Sequence, residues 1–210
     1  IALDPRDSSA MNWLGGVYLL VGDRERALKA FEACSAADPW FGPCAENVYD
    51  TLVALGRYDD AWARFQDVVS KGIMVEGWVN FWLLAHFDQK PAFMVASNHP
   101  QWLPKWRRHE EIYLAFKRPQ DDHRKLAREV GEFIRDNHLG KTALSRLLIP
   151  LGNFDAAPDL YSVWAPDQAA YRRSPQFNAF IRKTGVYDYW RKHGFPPQCR
   201  AVGADDFACD

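Results

Sequence analysis

One pattern of small, aromatic and helix-breaking residues occurs twice in this chain at an interval of 34 residues, and a period of that length belongs to repeat architectures. Val21-Gly22-Asp23-Arg24 is matched 34 positions on by Leu55-Gly56-Arg57-Tyr58, Ala27 by Ala61 and Phe31 by Phe65. In the first copy, Leu14, Gly15, Tyr18 and Val21 share one face of a helix. Gly22-Asp23 breaks that helix. Ala27, Phe31 and Cys34 then recur at i, i+4 and i+7 on a second helix, which Pro39 stops. Gly15 lets the neighbouring backbone come close, small Ala27 sits at the approach, and Phe31 fills the gap between the pair. A single helical hairpin cannot bury its own apolar face, so the pattern predicts stacked hairpins over 8–41 and 42–75.

Leu14-Gly15-x-x-Tyr18, Ala27-x-x-x-Phe31 and Pro39 together resemble the signature of the tetratricopeptide repeat, with Met11 where that family carries Trp. The resemblance implies an all-α fold, a right-handed α-solenoid of helical hairpins ending in a capping helix and an extended tail. Upstream, Leu3-Asp4-Pro5 lies 34 residues before Ala37-Asp38-Pro39. Residues 1–7 therefore read as the end of a preceding repeat, and the chain is expected to be cut from a longer protein.

Residues 76–137 lose the signature and read as irregular helical hairpins. A helix is expected from Glu76 to Phe87, a turn at Asp88–Pro91 and a short helix to Ser97. Asn98-His99-Pro100 breaks the chain, Pro104–Phe116 reads as helical, and Asp122–Asn137 carries Leu126, Val130 and Phe133 on one face. The repeat grammar returns over 138–171, where Leu148-x-x-Leu151-Gly152-Asn153-Phe154 matches Leu52-x-x-Leu55-Gly56-Arg57-Tyr58. Ala157 stands for Ala61 and Tyr161 for Phe65, which requires Pro158 in the first turn of a helix. Over 172–194, Ser174-Pro175 opens a helix bearing Phe177, Phe180 and Ile181, and Gly185 ends it. A last helix, Tyr187 to His193, is expected to close the open end of the array. The tail, 195–210, has no periodicity and is expected to be extended or looped.

Composition and motifs exclude more than they assign. The hydrophobic content of 48% with 25% charged residues is that of an ordinary globular protein, and a net charge of −1 argues against general nucleic-acid binding. The acidic pairs Asp59/Asp60, Glu110/Glu111, Asp121/Asp122 and Asp205/Asp206 are adjacent in sequence and so point apart on a helix, unlike a facing catalytic dyad. His109-Glu110-Glu111 lacks the second histidine of a zinc helix, and no phosphate loop, dinucleotide fingerprint or nucleophile elbow is present. No catalytic residue, metal site or cofactor is expected, and the nine Trp read as packing residues.

A binding surface is the positive expectation. In stacked hairpins the first helices line the concave side, where Ser9, Asn12, Gly16 and Leu19 of one repeat adjoin Pro43, Glu46, Asp50 and Val53 of the next. Glu46 and Asp50 would repel a carboxylate, so a basic or uncharged protein or peptide partner fits this face. Alternatively, the irregular middle segment of the chain fills it. An oligomerisation scaffold, with a homodimer through exposed end helices, is the competing class.

The four cysteines form two pairs of the same spacing. Cys34 and Cys44 lie on helices expected to pack together, so they either bridge or leave Cys34 in the place of a small alanine. Cys199 and Cys209 flank Gly203 in a segment with little to order it, and a bridge there is expected. It would imply an oxidising compartment, most readily the periplasm, against a cytoplasmic alternative. Ser174-Pro-Gln-Phe-x-x-Phe-Ile-Arg-Lys-Thr-Gly185-Val-x-x-Tyr-Trp-Arg-x-x-Gly194-x-Pro-x-x-Cys199 resembles the C-terminus of bacterial tetratricopeptide proteins carrying a ToxR-like winged helix or a class III nucleotide cyclase. That resemblance implies a sensory or interaction module of a signalling protein, with any membrane link supplied by parent segments outside these residues.

Overall fold

A computed structural model describes residues 7–73, 80–100, 102–139, 146–156, 158 and 163–210. Helix dominates, as an all-α chain requires, and two compact units are formed. The first combines Ile1–Trp78, Trp164–Pro166 and Ala179–Asp210; the second combines Val79–Val163 and Asp167–Asn178. The linear series of segments expected from the periodicity is thus interleaved, because the C-terminal segments belong with the first two hairpins.

In the first unit, α1 (Ser8–Leu20) and α2 (Arg24–Ala37) are followed by α3 (Gly42–Ala54) and α4 (Tyr58–Ser70). Asp7 caps α1 by accepting the Ala10 N–H at 2.9 Å. At the other end Gly22 is left-handed, with φ 82°, and the N–H groups of Gly22 and Asp23 return to the carbonyls of Leu19 and Tyr18. Asp23 then caps α2 through the Arg26 N–H, so one residue closes one helix and opens the next. Helix α2 packs on both α1 and α3, and α3 packs on α4. The expected close approach is present: a Cβ on Gly15 would lie within 2.7 Å of three atoms of the Phe31 ring. Ala27, Phe31 and Ala61 are fully buried. Burying a side chain the size of Phe31 contributes about 1.5–3 kcal/mol.

Cys34 and Cys44 are joined, with Cα atoms 5.9 Å apart, so α2 is tied to the start of α3 and the alanine-substitute alternative falls away. Cys199 and Cys209 are joined as well. Two bridges of this kind form and persist in oxidising compartments. Among the described residues no helix is long and apolar enough to cross a membrane.

The tail takes the extended of the two expected forms, and pairs with itself. β1 (Cys199–Val202) and β2 (Asp206–Cys209) form an antiparallel hairpin in which Cys199 faces Cys209 and Val202 faces Asp206. Gly203, with φ 63°, permits the turn. Phe207 is buried against Tyr187 and Trp190, each at 5.4 Å between ring centroids. These aromatics supply the core that period-counting along the tail did not register.

The final helix is likewise differently employed. The Trp190 indole donates to the Val21 carbonyl at 2.7 Å, Trp164 to Leu19 at 2.6 Å, and the Gln198 amide to Gly22 at 2.9 Å. The carbonyls where α1 ends are short of intrahelical donors, and buried indoles need acceptors, so each requirement satisfies the other. The C-terminal segments therefore cap the turn of the first hairpin instead of following the degenerate repeat.

The second unit contains α5 (Phe81–His86), α6 (Lys90–Ser97), α7 (His109–Lys117) and α8 (Arg124–Asp136). Asn80 accepts the Leu83 N–H and caps α5, while residues 76–79 of the helix expected from Glu76 lie outside the described residues. Helix α7 starts late, because Lys105 adopts φ 69° and prevents a continuous helix from Pro104. Helices α5, α6 and α7 pack mutually. Phe81, Phe93, Trp102 and Phe116 meet there, with Phe81 to Trp102 at 5.0 Å and Phe93 to Phe116 at 5.7 Å. Leu147, Leu148, Ile149 and Leu151 of the degenerate repeat are buried. Gly152, at φ 91°, ends that helix as expected. Ala157 and Tyr161 lie outside the described residues, and Pro158 is not helical. Beyond them come a short 3-10 turn (Pro166–Gln168), α9 (Ala169–Arg172), α10 (Pro175–Lys183), whose first turn is capped by the Ser174 hydroxyl, and α11 (Val186–His193).

Candidate binding site

The face expected to line a groove is only partly available. Leu19, Glu46 and Val53 are 1%, 6% and 0% exposed, which removes them as partner-binding residues. The reason lies in the neighbours. Helix α3 is covered by α2 and α4, leaving Cys44, Ala45, Val48, Tyr49, Thr51, Leu52 and Ala54 buried beside Glu46 and Val53. Leu19 sits where the returning chain at Trp164 bonds to its carbonyl. Asn12 accepts a hydrogen bond from the Asn47 amide at 2.9 Å and so stitches α1 to α3. Gly16 and Asp50 are half-buried, and Ser9 and Pro43 are exposed. Trp13 and Val17, one turn apart on α1, remain 69% and 56% exposed, as does Trp40 at 71%. Their i, i+4 spacing was the readable signal for a second apolar stripe on α1.

A cleft of about 390 Å³ lies in the first unit, bounded by the α1–α2 turn on one side and by Tyr189, Trp190, His193 and Pro196 on the other. Its two arginines are already engaged. Arg24 donates to the Ala54 carbonyl at 2.5 Å, and burial lowers its pKa. Arg26 is paired with Asp23 and lies over the Tyr18 ring. His193 stacks on Tyr189 at 4.5 Å. This arrangement holds the tail in place.

The second unit carries a different kind of concavity. Steps of four, three and four residues put Arg124, Arg128, Gly131 and Arg135 of α8 on one stripe. The stripe faces the Gly152–Asp155 turn and Gln176 across a groove of about 360 Å³. The left-handed Gly152 reverses the chain there, with the Asn153 N–H returning to Leu148. Gly131, in the middle of the stripe, is buried: a Cβ there would stand 3.4 Å from Leu148 Cδ1 and 3.5 Å from Arg135 Nη1. Arg124 is held bidentately by Asp122 at 2.6 and 2.9 Å, which draws the Asp122 carboxyl well below the usual carboxylate range. Among the described residues, the guanidinium groups of Arg128 and Arg135 make no ion pair or hydrogen bond.

Each acidic pair has at least one member in an ion pair, Asp122 with Arg124 being the one already described. Asp60 meets Arg57, Glu110 meets Lys90, Glu111 meets Arg108, Asp205 meets Arg191 and Asp206 meets Arg182. His109 is buried, and burial lowers its pKa. Among the described residues no group of three potential ligands could hold a metal ion. No protein-family model, curated protein or solved structure matches the chain.

Proposed function

We propose that this chain is a tetratricopeptide-type module, a right-handed α-solenoid in its first hairpins, which binds a protein or peptide and carries no catalytic site or cofactor. The observation that carries the reading is the 34-residue register realised as α1–α4: two helix, glycine-turn, helix units in which α2 packs on both neighbours. Such units expose surface for partners instead of enclosing a pocket for small substrates. The exposed or half-buried part of the first-helix face is Ser9, Gly16, Pro43 and Asp50, and its acidic charge favours a basic or uncharged partner. The two bridges support a periplasmic setting, and the tail resemblance supports a place in a larger bacterial signalling protein. Affinity capture from the periplasmic fraction of the source organism tests this. A partner retained by the native chain and lost with Ser9→Arg/Asp50→Lys, at unchanged far-UV circular dichroism, is the expected result; equal retention by both removes the face from consideration.

The exposed pair Trp13 and Val17 favours one second reading, a scaffold that dimerises through α1. Sedimentation separates the two. A dimer that Trp13→Glu converts to a monomer supports the scaffold, and a native monomer at all concentrations eliminates it.

A further inference from the structure

We propose that the arginine-lined groove of the second unit binds an acidic peptide segment, whose carboxylates are held by Arg128 and Arg135. The proposal takes peptide binding from the reading above and adds the charge of the ligand and a location in the other unit.

The argument begins with what the groove leaves unsatisfied. Of its three guanidinium groups, Arg124 is neutralised by Asp122, whereas Arg128 and Arg135 have no ion pair or hydrogen bond among the described residues. Asp155 is the one carboxylate among the described lining residues, and Asn153 and Gln176 add amide groups. Planar guanidinium forks match carboxylates in a bidentate manner, and side-chain amides satisfy the carbonyls of a peptide backbone. Gly131, without a side chain, lets Arg135 fold back along the helix, its Nη1 lying 3.5 Å from where a Cβ would be.

Spacing favours an elongated ligand over a single oxyanion. Arg128 and Arg135 are seven residues apart, a rise of about 10 Å along the helix. An extended peptide presents same-side residues about 7 Å apart. Glutamates at alternate positions thus come within reach of two long, flexible arms, whereas one small anion would engage a single arm. The rim is exposed, so attraction will be screened by salt.

Calorimetric titration of the intact chain with blocked tetraglutamate, blocked tetraglutamine and inorganic phosphate tests the proposal. Tetraglutamate is expected to bind, to weaken with added salt, and to lose about tenfold or more in affinity in Arg128→Gln/Arg135→Gln, whose exposed side chains leave the fold unchanged by circular dichroism. Tetraglutamine and phosphate are expected to give no comparable heat. Absence of tetraglutamate binding, unchanged affinity in the double variant, or phosphate binding as tight as the peptide each overturns it. Ser9→Arg/Asp50→Lys is expected to bind tetraglutamate like the native chain. If that variant loses binding while Arg128→Gln/Arg135→Gln keeps it, peptide binding by the first unit stands and the arginine groove is rejected.

Discussion

Several helices in each unit end in the same left-handed turn, yet the residue at the critical position differs. In the first unit Gly22, Gly56 and Gly72 take the left-handed conformation that closes a helix. In the second unit Asp88 and His138 do so at φ 56° and 53°, and glycine is used at Gly152. The hydrogen bonds are nevertheless common to both. Gly56 and Arg57 return to Val53 and Leu52 as Asp88 and Gln89 return to Ala85 and Leu84, and as His138 and Leu139 return to Arg135 and Ile134. The difference teaches that carbonyl satisfaction dictates this turn and that glycine only lowers its cost, by about 1 kcal/mol for a residue with a Cβ. The second unit offsets part of that cost locally. Lys117 donates to Asp88 at 2.6 Å and holds its carboxyl below the usual range. The first unit adds two disulfides, while among the described residues the second relies on its aromatic cluster.

The largest effect that would break this contrast is loss of the tail bridge. Cys199→Ser/Cys209→Ser should lower the stability of the first unit by about 3 kcal/mol, read from denaturant unfolding. The same bridge should leave both thiols unlabelled when unreduced, denatured protein is alkylated and weighed. Next comes Gly22→Ala. A Cβ there meets Gln198 Nε2 at 2.8 Å and Pro196 Cγ at 2.9 Å as well as the left-handed backbone. A loss of about 2 kcal/mol is expected. Gly72→Ala, which meets nothing within 4 Å, should lose about half as much by the same measurement. If the two variants are equally destabilised, the docked tail contributes nothing at Gly22.

Sharpening the contrast from the other side, His138→Gly should stabilise the second unit by about 1 kcal/mol, because the strain is removed and the backbone hydrogen bonds remain. Thermal unfolding would show the rise, and a fall would mean that the imidazole makes a contribution of its own. The smallest effect is on pH dependence. Burial sets the folded pKa of His109 below its ordinary 6.5. As pH falls the unfolded chain takes the proton first, so stability from this residue is complete above about 6.5 and is lost as pH drops toward the folded value. A shallower acid slope in His109→Phe is expected from unfolding curves at successive pH values.

How far the sequence reached differs from residue to residue for one physical reason. Gly15, Ala27, Phe31, Ala61 and the turns at Gly22, Gly56 and Gly152 were legible because helix periodicity and left-handed closure are local, set within a few residues. The Cys199–Cys209 bridge was legible because ten positions of separation is also short, whereas the packing of α2 on α3 decided Cys34–Cys44. The groove was misjudged at Leu19, Glu46 and Val53, since a helical wheel gives direction but not what covers that direction. The arginine stripe of α8 could have been found from its spacing alone, but not the turn at Gly152–Asp155 that makes it a groove. Least legible was the return of the tail. Trp164 and Trp190 find their acceptors at Leu19 and Val21 across 145 and 169 residues. Sequence by itself therefore determined the first two helix–turn–helix units, their glycine turns and the bridge in the tail. Only the tertiary structure decided which carbonyls the buried indoles satisfy, and with that which faces remain open, because such choices depend on groups brought together by packing rather than by position in the chain.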